Sequence, residues 1–68
     1  MAANFEHYKI FYYVARYGSF TKAAELLYSN QPNITRIIRI LETELDCKLM
    51  QRSNRGITLT EEGERLYR

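Results

Sequence analysis

Ser29-Asn30-Gln31-Pro32-Asn33-Ile34-Thr35-Arg36-Ile37-Ile38-Arg39-Ile40-Leu41 holds both a helix boundary and a two-faced helix. Asn30 is a good helix N-cap, because its side-chain oxygen can accept a hydrogen bond from an amide of the first turn. Pro32 is tolerated in that turn, where its missing N–H would have been unpaired anyway. The stretch therefore stops one element and starts another, and a helix is predicted from about Gln31 to Leu45. Wound at roughly 100° per residue, Ile34, Ile38, Leu41 and Leu45 fall within about 40° of one line. Pro32, Thr35, Arg36, Arg39 and Thr43 cluster on the far side. One face is predicted to be core and the other basic and free of acids.

Upstream, Asn4 is predicted to cap a helix over residues 5 to 17, in which Phe5, Tyr8, Phe11, Tyr12 and Ala15 recur at helical spacing until Gly18 stops the run. Ser19 caps a second, short helix predicted over Phe20 to Tyr28, with Phe20, Ala23, Ala24 and Leu27 inward and Thr21, Lys22 and Glu25 outward. The paired alanines matter because small side chains let two helices cross closely, as a helix-turn-helix requires. Downstream of Asp46 the period changes. Leu49-Met50-Gln51-Arg52 and Ile57-Thr58-Leu59 are strand-like and flank the turn-rich Ser53-Asn54-Arg55-Gly56, which predicts a β-hairpin with a basic tip. Thr60 caps a last helical start, Glu61 to Arg68, with acids in its first turn and Arg65 and Arg68 near its end. The chain stops inside that helical segment, so it is expected to be a fragment.

The fold class predicted is mainly α: a winged helix-turn-helix with a three-helix core and a two-stranded wing over residues 4–60, followed by the start of a linker helix over 61–68. A chain of 68 residues makes one domain at most. Ten Lys and Arg against eight Asp and Glu give a net charge of only +2, so the distribution of charge matters more than its sum. Gln31 to Arg39 carries two Arg and no acid, and Lys48 to Thr60 carries Lys48, Arg52 and Arg55 and no acid. One Cys, Cys47, and one His, His7, cannot assemble an internal disulfide or a zinc site of Cys and His ligands, which fits a reducing, cytoplasmic setting. The longest apolar run, Ile10 to Ala15, is too short for a signal-peptide core or a membrane span.

In a winged helix-turn-helix the second helix of the pair lies in the major groove and the hairpin reaches beside it. Arg can pair with guanine O6 and N7, Gln and Asn with adenine N6 and N7, and a Thr methyl can meet the thymine methyl. Thr35, Arg36 and Arg39 are predicted to face the groove. Gln31 and Asn33 sit in the first helical turn, where free backbone N–H groups also favour a phosphate oxygen.

The chain resembles the N-terminal domain of the LysR-type transcriptional regulators from Asn4 to at least Gly63. The residues that carry the resemblance are Phe11, Gly18-Ser19-Phe20-Thr21-Lys22-Ala23-Ala24, Leu27, Gln31-Pro32, Ile34-Thr35, Leu41-Glu42, Leu45, Leu49, Arg52, Arg55-Gly56, Leu59-Thr60 and Gly63. It implies a bacterial transcription factor that binds double-stranded DNA as a homodimer or tetramer. It also implies a longer chain with a full linker helix and a C-terminal domain that binds a small-molecule effector, while no cofactor is expected in this segment. The family's base-proximal positions would fall on Gln31, Pro32, Thr35 and Arg36, its phosphate contacts on Thr21, Arg39 and Arg52, and its wing contact on Arg55.

Departures from the family pattern are Asp46, where Gly usually ends the recognition helix in a left-handed conformation, and Met50, where Phe is common. Asp tolerates that conformation less well than Gly or Asn, so the turn before the wing is a place where the backbone can differ. Ile37 and Ile40 are apolar where polar residues are usual, and Asn30 and Asn33 replace smaller residues near the reading face. Ile37 is read as the edge of a widened core before it is read as a contact to thymine. His7 is expected to be an exposed residue of the first turn, and Thr43 or Glu42, one turn away, lies close enough to pair with Arg39. A rival reading is a winged-helix module that uses the same surface on an acidic protein. A catalytic reading fails on inventory: the only His and only Cys fall on separate segments, and neither a carboxylate pair with a nucleophile nor a Gly-rich phosphate loop is present.

Overall fold

Capping signals divide the chain where the sequence places them. The computed structural model describes residues 5–53 and 56–68, so the predicted Asn4 cap and the wing-tip contact Arg55 lie outside the described residues. The elements are α1 (Phe5–Tyr17), α2 (Phe20–Leu26), α3 (Gln31–Leu45), β1 (Met50–Ser53), β2 (Gly56–Leu59) and α4 (Glu61–Tyr67). Among the described residues no helix is long and apolar enough to cross a membrane.

Three N-caps are side-chain oxygens. Ser19 Oγ accepts from the Lys22 amide at 3.0 Å, Asn30 Oδ1 from the Asn33 amide at 2.9 Å, and Thr60 Oγ1 from the Gly63 amide at 3.0 Å. Each satisfies one of the amides that a helix start leaves unpaired.

Helix C-termini show a second rule. Gly18 ends α1 at φ 63, as its lack of a Cβ allows. The next two helices end through the same left-handed conformation without glycine, at Tyr28 and at Asp46, both with φ 56. At Tyr28 the closure is a pair of bonds, Tyr28 N–H to Glu25 O at 3.3 Å and Ser29 N–H to Ala24 O at 2.8 Å. At Asp46 the same pair recurs, Asp46 N–H to Thr43 O at 3.2 Å and Cys47 N–H to Glu42 O at 3.1 Å. Asp46 therefore makes the turn that a glycine would make, and the backbone before the wing is not diverted. The early closure at Tyr28 also ends α2 at Leu26, two residues before the predicted end.

The core is built from Ile10, Phe11 and Val14 of α1, Phe20, Ala23 and Ala24 of α2, Ile34, Ile37, Ile38 and Leu41 of α3, and Leu49 and Met50 at the start of the wing. Ala23 is fully buried where α2 meets its neighbours, so a larger side chain there would hold the helices apart. Ile37 is buried, which makes it core. The predicted face of α1 is buried in part: Phe11 is core and Tyr8 and Ala15 pack against it, but Phe5 is 81% exposed and Tyr12 45% exposed, and Ile10 and Val14 face the core in their place. The run Ile10 to Ala15 offers apolar side chains all round the helix, so packing against α3 chooses the face and spacing alone does not. Tyr12 instead packs on the last helix, its ring centroid 5.4 Å from that of Tyr67 on α4. His7 is half-buried rather than exposed.

The strands β1 and β2 pair antiparallel in the register Met50 with Leu59, Gln51 with Thr58, Arg52 with Ile57 and Ser53 with Gly56. Two sets of bonds hang this hairpin on the helices. Glu42 Oε2 accepts from the Leu49 amide at 2.9 Å. The Thr60 amide donates to Leu49 O at 3.0 Å, and Thr60 Oγ1 donates to Lys48 O at 2.6 Å. Gly63 lies so close to Leu49 that a Cβ placed on it would stand 1.9 Å from the Leu49 carbonyl oxygen.

Candidate nucleic-acid interface

The exposed side of α3 and the near edge of the wing form one open groove. Gln31, Pro32, Thr35, Arg36 and Arg39 line it from the helix and Arg52 from β1. Six of the nine predicted site residues are thus brought together. Thr21 is exposed on α2 and does not line this groove. Asn33 faces a different depression, shared with Leu27, Tyr28 and Ser29.

Three lining residues escaped the sequence-based assignment of the site: Ile40, Thr43 and Glu44. Helical spacing puts Thr43 on this side of α3. Glu44 corrects the expectation of an acid-free face, because it stands in the last turn of α3, about 20 Å along the axis from Gln31. A carboxylate there repels phosphate at the C-terminal end of the groove, so polyanion attraction concentrates at the N-terminal end.

Charges in the groove are free to act outward. Among the described residues no carboxylate forms an ion pair with Arg36 or Arg39. Glu42, one turn from Arg39, is turned to the Leu49 amide and has Lys48 Nζ at 3.8 Å from its other oxygen, with its own side chain only 11% exposed. That acid is used to hold the wing and is not available to neutralise Arg39.

Arg36 does have one partner. Its Nη2 donates to Asn33 Oδ1 at 2.6 Å, and Asn33 Nδ2 donates to Ser29 Oγ at 2.9 Å. Arg52 is held differently. Side chains alternate along a strand, so Arg52 shares the face of the buried Met50 and points toward the helices. There its guanidinium carbon lies 4.2 Å from the centroid of the Phe20 ring, a cation–π contact at the start of α2. The charge sits at the groove's edge on an aromatic floor.

Among the described residues no group of three or more His, Cys, Asp or Glu side chains could hold a metal ion. The arrangement offers cationic, amide and hydroxyl groups on a convex helix beside a protruding hairpin, which is a shape and chemistry for grasping a polyanionic surface.

Three helices and a hairpin in this order, with α2 and α3 joined by a tight capped turn, define a winged helix-turn-helix domain of the kind found in transcriptional regulators. Residues 5–64 match the bacterial regulatory helix-turn-helix proteins of the lysR family. The chain belongs to that family. It is 52% identical over 60 residues to the HTH-type transcriptional regulator YofA of Bacillus velezensis, an alignment covering 88% of this chain and 21% of that protein, so the chain spans about a fifth of the relative's length. Among solved structures, the CbnR_DBD-DNA complex superposes with a TM-score of 0.91 at 40% identity, covering 96% of this chain and 75% of that one. The BenM_DBD complex with catB site 1 DNA also gives 0.91, at 38% identity, covering 96% of this chain and 73% of that one.

Proposed function

We propose that this domain binds double-stranded DNA sequence-specifically on behalf of a bacterial transcriptional regulator, with the start of α3 in the major groove and the wing along the flanking backbone. The observation that carries this reading is the joint placement of Gln31, Thr35, Arg36, Arg39 and Arg52 on one groove, where no carboxylate among the described residues is ion-paired to any of the three arginines. The likeness to domains solved as DNA complexes supports it. Arg36 is assigned to a base edge, with Gln31, Pro32 and Thr35 beside it, and Thr21, Arg39, Arg52 and Arg55 to phosphates.

The domain spans residues 4–60, and residues 61–68 begin a linker helix. The full-length protein works in the cytoplasm as a homodimer or tetramer, takes its small-molecule effector on a C-terminal domain and catalyses no reaction. Two copies then meet a roughly two-fold symmetric site.

The test is selection of bound duplexes from a random pool, followed by titration of the selected site. Arg36→Ala is expected to lose about 1 to 3 kcal/mol of specific binding and to relax discrimination at one base pair. Unchanged affinity and preference would remove Arg36 from the base-reading role. Absence of binding to any duplex even at low salt would overturn DNA binding itself and favour an acidic protein partner.

A further inference from the structure

We infer that Asn33 is a positioning residue: it fixes the guanidinium of Arg36 before DNA arrives and thereby sets the base preference of the domain without reading a base itself. The inference rests on the assignment of Arg36 to a base edge.

Asn33 is tied at three atoms. Its backbone N–H bonds to Asn30 Oδ1 at 2.9 Å, its Nδ2 to Ser29 Oγ at 2.9 Å, and its Oδ1 accepts from Arg36 Nη2 at 2.6 Å. The direction of this relay is forced. A guanidinium has donors only, so the amide must turn its oxygen toward Arg36, and its NH2 group then faces the Ser29 hydroxyl, which can accept. Asn33 is half-buried and lies outside the groove, whereas Arg36 is exposed and lines it. Both ends of the amide are engaged inside the protein, so its effect on DNA passes through Arg36.

The physical gain is preorganisation. A free Arg samples many rotamers, and binding must arrest them. One charge-assisted hydrogen bond to a side chain on the same helix arrests part of that motion in advance. It also leaves four of the five guanidinium N–H groups, more than the two that a guanine O6 and N7 pair requires. A small residue at position 33 could offer no such oxygen.

The test compares Asn33→Ala, Arg36→Ala and the double variant on the selected duplex, with NMR relaxation of the Arg36 Nε–H group in the free protein. In free Asn33→Ala the Arg36 order parameter is expected to fall. On DNA, Asn33→Ala should weaken binding by roughly two- to tenfold, the effect of one long side chain that must be immobilised on binding. Preference should relax at the base pair that Arg36 governs, with an unchanged salt slope, and the Arg36→Ala background should abolish any further loss. An unchanged order parameter, or a loss that persists without Arg36, overturns the inference. A fall in order parameter with no effect of Arg36→Ala on DNA would instead overturn the base-reading assignment. Circular dichroism checks folding. Should Asn33→Ala unfold, Ser29→Ala frees the same amide from its other end and is expected to relax the same base pair by a smaller factor, and no change there would overturn the inference equally.

Discussion

Arg36 and Arg52 line the same groove, yet they are held by opposite means. Arg36 is held from within its own helix by a hydrogen bond to the residue three positions earlier. Arg52 is held from across the fold, on a strand, over the ring of a residue that opens α2. A hydrogen bond is directional and fixes where the remaining donors point, which suits a base edge. An aromatic face attracts a cation over a broad area and keeps its charge near a place without orienting it, which suits a phosphate. The start of α3 is also self-contained, since Ser29, Asn30, Asn33 and Arg36 settle one another. The wing carries Arg52 only as well as its attachments to α3 and α4 allow.

The most severe way to disturb that difference is to push the wing off α4. Gly63→Ala places a methyl 1.9 Å from the Leu49 carbonyl oxygen, a backbone atom that already accepts from the Thr60 amide. Neither chain can give way without breaking that bond, so the expected loss is about 3 kcal/mol of unfolding free energy. Urea denaturation followed by circular dichroism measures it. A loss below about 1 kcal/mol would mean that the wing tolerates a shifted α4 and that its position is not set by this approach.

A milder disturbance acts on the other attachment. Glu42→Ala removes the acceptor for the Leu49 amide, and Leu49 is only 1% exposed, so no solvent replaces it. An unsatisfied buried donor costs about 1 to 3 kcal/mol. Lys48→Ala is the control, because it removes only the ion pair to Glu42 from a side chain that is 79% exposed, and less than about 0.5 kcal/mol is expected from so solvated a contact. Equal losses in the two variants would show that Glu42 acts through charge and not through the Leu49 amide.

The same contrast between near and distant contacts explains what could be read from the sequence. The bounds of α3 were legible because Asn30, Pro32 and the following periodicity are all local signals. The groove side of α3 was legible for the same reason, and so was the hairpin, from its turn residues. The buried face of α1 was legible only in part: Phe11 was found, but Tyr12 and Phe5 are as apolar by spacing as Ile10 and Val14, and only contact with other elements separates them. The seat of Arg52 was half legible: strand alternation puts it on the face of Met50, but nothing local places Phe20 beneath it. The link from Asn33 to Arg36 sits at a helical spacing and could have been anticipated from residue types alone.

The only favourable effect expected lies in the turn before α3. Tyr28 adopts φ 56 and is 97% exposed, so the left-handed conformation is imposed on a bulky residue that gains little packing for it. An L side chain in that region costs about 1 to 2 kcal/mol, and glycine escapes the clash while losing about 0.5 to 1 kcal/mol through the freedom of its unfolded chain. Tyr28→Gly is therefore expected to stabilise the domain by about 0.5 to 1 kcal/mol in urea denaturation. The bonds from Tyr28 and Ser29 back to α2 are made by backbone atoms and survive the change. Because contacts at this end are local, the Arg36 order parameter should stay as it is. Destabilisation would show that the exposed ring makes a stabilising contact that outweighs the backbone strain. A change in Arg36 motion would show that the start of α3 depends on the turn before it, and the contrast with the wing would then narrow.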